Sequence, residues 1–247
     1  MLFAKPARVK KTWAYMLVVI LLRPLIMIFT RRDWRNAENL DVDGGIIVVS
    51  NHLSNFDPLV LAHFLHDNGR PARFLGKRAI FDVPVLGWLI RSAGQIPVDR
   101  GTSKAAHALR DAEAAIAAGE AAVIYPEGTL TYDPGLWPMT GATGAARLAL
   151  ATGAPVIPVA QWGAQNVIPR WNKGLKLIPP QTMHVIAGKP VDLSAFQGRD
   201  IDNALLNEVT NRIIDDITAL LEALRGEKAP ESRWDRRNVR EVESGDN

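Results

Sequence analysis

The chain has 247 residues, 47% of them hydrophobic, with 29 Lys plus Arg against 26 Asp plus Glu and a formal charge of +3. That length supports one domain with a sizeable core, and the composition is too apolar for a disordered chain. Cysteine is absent, which excludes disulfides, thiolate metal sites, iron–sulfur clusters and a cysteine nucleophile.

The charge is unevenly placed. Residues 1–35 hold eight bases and one acid, +7, which leaves 21 bases and 25 acids, −4, for the rest. Thr12 to Leu22 is an apolar run of 11 residues, followed by Arg23-Pro24 and then Leu25 to Phe29. No small-residue cleavage site follows, so the segment does not read as a signal peptide. A spanning helix needs about 20 apolar residues, and the charge and proline break this run first. Basic flanks on both sides also oppose a simple crossing. Residues 1–40 therefore read as a monotopic arm on the cytoplasmic face, with Trp13 and Tyr15 at headgroup depth and Lys/Arg on an anionic membrane surface. A basic pI could suggest nucleic acid, but the apolar filling and the acidic body argue against that partner.

Strands alternate with helices after the arm. Ile46–Ser50 reads as a buried strand, and Asp57-Pro58 as a cap and first turn of a helix to about Asp67. Arg73–Gly76 is a short strand, Val83–Arg91 an apolar helix and Gly94–Val98 a strand. A helix over Ser103–Ala118 precedes the strand Ala121–Tyr125. A helix over Thr143–Ala151, stopped by Gly153, precedes the strand Val156–Ala160. Met183–Ala187 is a further strand, and Asp200–Leu224 a long amphipathic helix. The pattern predicts an α/β fold with a mixed, mostly parallel sheet flanked by helices over residues 41–225. Residues 226–247 read as a polar, loose tail.

Three blocks can carry chemistry. In Ser50-Asn-His-Leu-Ser-Asn-Phe-Asp57 a histidine follows a buried strand and a carboxylate stands five residues on. Across a strand–loop–helix corner Asp57 can reach His52, fix its tautomer and leave the other nitrogen as a base. The plainer alternative is that Asp57 only caps the helix. In Gly94-Gln-Ile-Pro-Val-Asp-Arg100 an arginine just past a strand can clamp a phosphate. Tyr125-Pro-Glu-Gly-Thr129 is a corner at the C-terminal end of a buried strand, where open α/β sheets place ligand groups; it can equally be a plain turn. His63 and His66, with Asp67 or Asp57, allow a metal-hydrolase reading, but a third ligand is not obvious and exposed helix histidines explain the pair more simply.

Asn-His-x4-Asp, Gly…Asp-Arg, Pro-Glu-Gly-Thr and Val156-Ile-Pro-Val159, in this order, resemble the glycerolipid acyltransferase superfamily. Within it they look like bacterial 1-acyl-glycerol-3-phosphate acyltransferases over roughly residues 46–190. Tyr125–Thr131 and Gln161-Trp-Gly-Ala-Gln165 look like an actinobacterial branch. The resemblance implies that His52 is the general base and Asp57 its orienting partner. Glu127, Gly128 and Thr129 shape the acceptor site, Arg100 and Lys77 contact the glycerol phosphate, and Pro158 lies near the acyl or acceptor pocket. One departure stands out. Leu130-Thr131 replaces the Arg-Ser that often follows in the family, which leaves acceptor identity open.

The implied reaction is direct acyl transfer from acyl-CoA or an acyl carrier protein to a membrane lipid acceptor, with no metal, no cofactor and no acyl-enzyme. Activity should fall as pH drops through an imidazole pKa of roughly 6.5. The acceptor is 1-acyl-glycerol-3-phosphate, glycerol-3-phosphate itself or a glycosylated phospholipid. Residues 81–90 are the candidate acyl slot. A membrane-binding scaffold is the non-enzyme alternative, and oligomeric state is open.

Overall fold

The computed structural model describes residues 12–99, 105–170 and 174–238. Seven strands form one sheet: β1 (Thr30–Arg35), β2 (Ile46–Ser50), β3 (Ala72–Lys77), β4 (Ile96–Val98), β5 (Ala121–Ile124), β6 (Val156–Trp162) and β7 (Gln181–Ala187). The order across the sheet is β1-β7-β6-β2-β5-β3-β4. Only the β6–β7 pair is antiparallel, so β1 and β7 run opposite to the other five.

The helices are α1 (Trp13–Phe29), α2 (Asp57–Asp67), α3 (Arg78–Phe81), α4 (Leu86–Ser92), α5 (Ala105–Ala117), α6 (Gly144–Thr152), α7 (Ala164–Val167) and α8 (Asn203–Arg225). They cover both faces of the sheet, and strand residues alternate between two cores. Ile46 and Val48 of β2 join the core under α2 and α7, while Ile47 and Val49 join the one under α5, α6 and α8. Burial on both faces makes β2 and β5 continuous apolar runs.

Helix α8 starts where Asp202 accepts from the Leu205 N–H at 2.7 Å and ends at Gly226 with φ 68. Its Leu205, Val209, Ile213 and Ile217 bury one stripe in the second core.

The sequence-based elements recur with shifted ends. The helix expected over 83–91 starts only at Leu86, after Val85 at φ 64, and the short α3 before it is an addition. Strand β1 went unpredicted because an edge strand, paired only with β7, keeps its charges in solvent. Arg23 and Pro24 do not end α1. Arg23 turns back to Asp67 at 3.1 Å, and the helix runs on to Phe29. No described helix is long and apolar enough to cross a membrane. The expected loose tail is docked in its described part: Trp234 packs on Tyr132 and Met139, and its carbonyl accepts from the Thr140 N–H at 3.0 Å.

Arg70 sets the entry to β2. Its guanidinium is 1% exposed and donates to the carbonyls of Leu40 (3.0 Å), Gly44 (2.7 Å) and Val42. Arg70→Met removes all three donors, and a buried carbonyl without a partner costs about 1–3 kcal/mol. Of the three acceptor residues only Leu40 is buried, so the variant should lose about 1–3 kcal/mol in denaturant unfolding; a loss under about 1 kcal/mol would show that water replaces the guanidinium freely.

Candidate active site

The candidate residues gather at the C-terminal ends of parallel strands, as expected for an open α/β sheet. His52 leaves β2, Glu127 leaves β5 and Lys77 ends β3.

His52 Nδ1 lies 3.0 Å from Asp57 Oδ2. The same oxygen accepts the backbone N–H of Leu53 and, at 2.7 Å, that of Ser54. Asp57 is fully buried and is the first helical residue of α2, with Phe56 at the cap position. Its carboxylate therefore does not cap its own helix. It reaches backwards and fixes the His52–Ser54 corner. Nδ1–H donates to Asp57, which leaves Nε2 as the acceptor nitrogen. The imidazole side chain is 16% exposed and lines a cavity of about 910 Å³.

The 127–131 loop fixes the backbone of His52 from the other side. Glu127 Oε1 accepts the His52 N–H at 3.1 Å, and Oε2 accepts the Met139 N–H at 2.9 Å. The Thr131 N–H donates to the His52 carbonyl at 2.8 Å, and its hydroxyl donates to the Trp137 carbonyl at 2.6 Å. Glu127 is 2% exposed, and burial pushes its carboxyl up to about 8 against the pull of the Met139 and His52 N–H groups. Expected to shape the acceptor site, Glu127 holds the histidine loop by its two backbone contacts.

Two neighbours of His52 escaped the sequence reading. The Tyr125 ring stacks on the imidazole with centroids 4.0 Å apart and planes 15° apart, and burial raises its phenol well above the ordinary value. The signal available was an aromatic residue directly before Pro-Glu-Gly. Asn51 donates to the Gln161 carbonyl at 3.0 Å and accepts the Gln161 N–H at 2.9 Å, tying the exit of β2 to β6.

Gly128, at φ 76, and Thr129 line the cavity. An added Cβ on Gly128 would meet nothing within 4 Å, but that φ favours glycine. Lys77 lines the cavity as well. Arg100 lies outside the described residues. Pro158 does not line the cavity; it sits in β6 opposite Val49 and packs against Gly188, where an added Cβ would come within 2.8 Å of it.

The apolar wall of the cavity comes from Val18, Val19, Leu22 and Ile26 of α1 and Leu86, Leu89 and Ile90 of α4, with Phe81 of α3. The candidate slot residues thus do reach the cavity, while Val85 and Trp88 of the same segment face outward.

His63 and His66 serve the packing of α2 against α1 and β1. No group of three or more candidate ligands is present among the described residues. His63 is buried rather than exposed and packs edge-on against Trp34, with centroids 5.6 Å apart; burial lowers its pKa. His66 Nδ1 meets the Tyr15 hydroxyl at 2.9 Å, and Asp67 accepts from Arg23, Arg32 and Trp34. The cluster binds α1 and β1 to α2.

A His–Asp pair with a buried carboxylate, at the ends of parallel strands and opening on an apolar cavity, defines an enzyme-like site for a partly aliphatic substrate. The family model described as Acyltransferase matches residues 31–162, and the chain belongs to that family. The chain is 31% identical over 169 residues to the 1-acyl-sn-glycerol-3-phosphate acyltransferase of Salmonella typhimurium, which covers 67% of this chain and 62% of that protein. It is 30% identical over 165 residues to a chloroplastic 1-acyl-sn-glycerol-3-phosphate acyltransferase of Brassica napus, covering 66% and 46%. An uncharacterised Mycobacterium tuberculosis protein is 26% identical over 240 residues, covering 81% and 64%, in keeping with the actinobacterial likeness. The chain thus spans about half to two thirds of the length of these relatives. The crystal structure of the 1-acyl-sn-glycerophosphate acyltransferase PlsC from Thermotoga maritima shares the fold, with a TM-score of 0.65 over 87% of this chain and 81% of that one at 22% identity.

The raised carboxyl of Glu127 makes a pH prediction. Its folded pKa lies above the ordinary 4.5, so between 4.5 and about 8 the folded state holds the extra proton. Stability from this group is fully present at low pH and is lost as pH rises through about 8. The denaturant midpoint of the wild type should fall between pH 5 and 8 more steeply than that of Glu127→Gln. Parallel pH profiles would mean that Glu127 is ionised throughout.

Proposed function

We propose that this chain transfers a fatty acyl group from acyl-CoA, or from an acyl carrier protein, to a free hydroxyl of a glycerol-phosphate lipid. The acceptor we favour is 1-acyl-glycerol-3-phosphate, giving phosphatidic acid. The observation that carries this reading is the His52–Asp57 contact of 3.0 Å, with His52 lining a largely apolar cavity.

The chemistry follows from the geometry. The acceptor hydroxyl oxygen attacks the thioester carbonyl while its proton moves to Nε2 of His52. The carbon–sulfur bond breaks, and the departing thiolate takes that proton back from the imidazolium. Asp57 keeps the ring oriented and offsets its transient charge. Atoms balance without a covalent enzyme intermediate, so Ser54, whose hydroxyl is committed to the Ile168 carbonyl at 2.7 Å, is not needed as a nucleophile. The apolar walls of the cavity suit the acyl chain.

The reaction belongs at a membrane surface. Trp13, Ile20, Leu21, Leu25 and Ile28 of α1 are each more than half exposed, and Val85 and Trp88 are exposed beside them, with the Trp13 and Trp88 rings 5.8 Å apart. An apolar face of this size on a helix with basic flanks supports monotopic attachment on the cytoplasmic side, next to the lipid acceptor.

A thiol-release assay with palmitoyl-CoA and a panel of acceptors tests the reading. The panel holds 1-acyl-glycerol-3-phosphate, glycerol-3-phosphate and a glycosylated phospholipid. His52→Ala should lose at least about 100-fold in rate, the usual minimum worth of a positioned base, while still folding and binding anionic vesicles. Undiminished turnover in the variant, or no turnover by the wild type with any acceptor, would contradict it.

A further inference from the structure

Among the described residues four Lys or Arg side chains line the cavity: Arg23, Lys77, Arg147 and Arg236. Arg23 is neutralised by Asp67. Among the described residues the other three have no carboxylate partner, whereas Arg73, Arg78, Arg199 and Arg233 elsewhere each hold one. Lys77 and Arg147 are exposed and Arg236 is half-buried, so all three stand where an incoming anion can reach them and gain charged hydrogen bonds.

Two of these residues are held in place. Arg147 stands on the first turn of α6, its Nε 3.4 Å from Thr143 Oγ1. Arg236 belongs to the docked C-terminal segment. Its backbone N–H donates to Thr140 Oγ1 at 3.0 Å, the Thr140 N–H donates to the Trp234 carbonyl at 3.0 Å, and Arg233 pairs with Asp215 upstream. Open space adjoins the start of α6: an added Cβ on Gly144, three residues before Arg147, would meet nothing within 4 Å. On the same wall stands Leu130, the apolar residue found where the family resemblance leads one to expect an arginine.

We propose that Arg147 and Arg236, with Lys77, form a binding site for a substrate phosphate, and that the C-terminal segment supplies the cation that the Glu-Gly-Thr loop lacks. The proposal rests on the acyl-transfer reading. It makes residues 233–238 part of the substrate site. Two phosphates can reach such a site: the glycerol phosphate of the acceptor, or the nucleotide phosphates of acyl-CoA.

The test measures KM for lysophosphatidate, palmitoyl-CoA and palmitoyl-pantetheine with the wild type, Arg147→Gln, Arg236→Gln and, as a surface control, Arg199→Gln. Each cavity variant should raise KM for one phosphate-bearing substrate about tenfold or more, as expected for a lost charged hydrogen bond, with kcat little changed. The surface control should match the wild type. A rise confined to lysophosphatidate identifies the acceptor phosphate. A rise for palmitoyl-CoA but not for palmitoyl-pantetheine identifies the nucleotide. Unchanged KM for both phosphate substrates overturns the site. Thermal stabilisation by inorganic pyrophosphate provides a readout without turnover. It should occur in the wild type and vanish in the double variant Arg147→Gln/Arg236→Gln, and equal stabilisation of both overturns the site. A wild type that binds pyrophosphate yet transfers no acyl group would refute the acyl-transfer reading alone. If a glutamine variant does not fold, Arg147→Lys and Arg236→Lys keep the charge but not the fork and should raise KM by a smaller factor.

Discussion

One carboxylate oxygen organises the centre of this molecule. Asp57 Oδ2 accepts the ring N–H of His52 and the backbone N–H groups of Leu53 and Ser54. A fully buried carboxylate is costly to remove from water, and three converging donors are what make that burial tolerable. The same bonds turn the chain sharply from β2 into α2 and hold one imidazole nitrogen. Fold and chemistry thus depend on one group. The Glu-Gly-Thr loop completes the arrangement by gripping the backbone of His52 through Glu127 and Thr131, and Tyr125 fixes the plane of the ring.

The rest of the architecture serves the space in front of that histidine. Helices α1 and α4 have two working sides. Inward, Leu22, Ile26, Leu89 and Ile90 line the cavity; outward, Ile20, Leu25 and Trp88 are exposed. The same two helices thus carry an exposed apolar face and an apolar cavity wall, back to back. The Asp67 cluster ties this layer to the body, since it joins Arg23 of α1 and Arg32 and Trp34 of β1 to the end of α2. The net charge of +3 therefore describes no real surface. Some of the bases of the arm are spent internally on Asp67 and Asp33.

Much of this was legible in the sequence where burial is extreme. Strands β2 and β5 are covered on both faces, and continuous apolar runs announce them. The His52–Asp57 pairing was legible too, because a strand–loop–helix corner can bring residues five apart together. Strand β1 was not, since Thr30–Arg35 lies at an edge and reads as polar chain. The late start of α4 goes with a positive φ at Val85, which no local propensity announces. The docking of Trp234 was hidden for a different reason: a single aromatic residue in a polar tail finds its partners, Tyr132 and Met139, only in three dimensions. Within the site, the stacking of Tyr125 and the inward turn of Glu127 were likewise tertiary facts.

The account depends most on the charge of Asp57, and Asp57→Asn isolates it. The amide oxygen can still accept the N–H groups that Oδ2 accepts, so the corner can keep its shape while the negative charge facing the imidazolium is gone. Acyl transfer from palmitoyl-CoA to 1-acyl-glycerol-3-phosphate should then fall in kcat by at least about 100-fold with KM for both substrates nearly unchanged. A folded Asp57→Asn enzyme with kcat within a few-fold of the wild type would contradict the account.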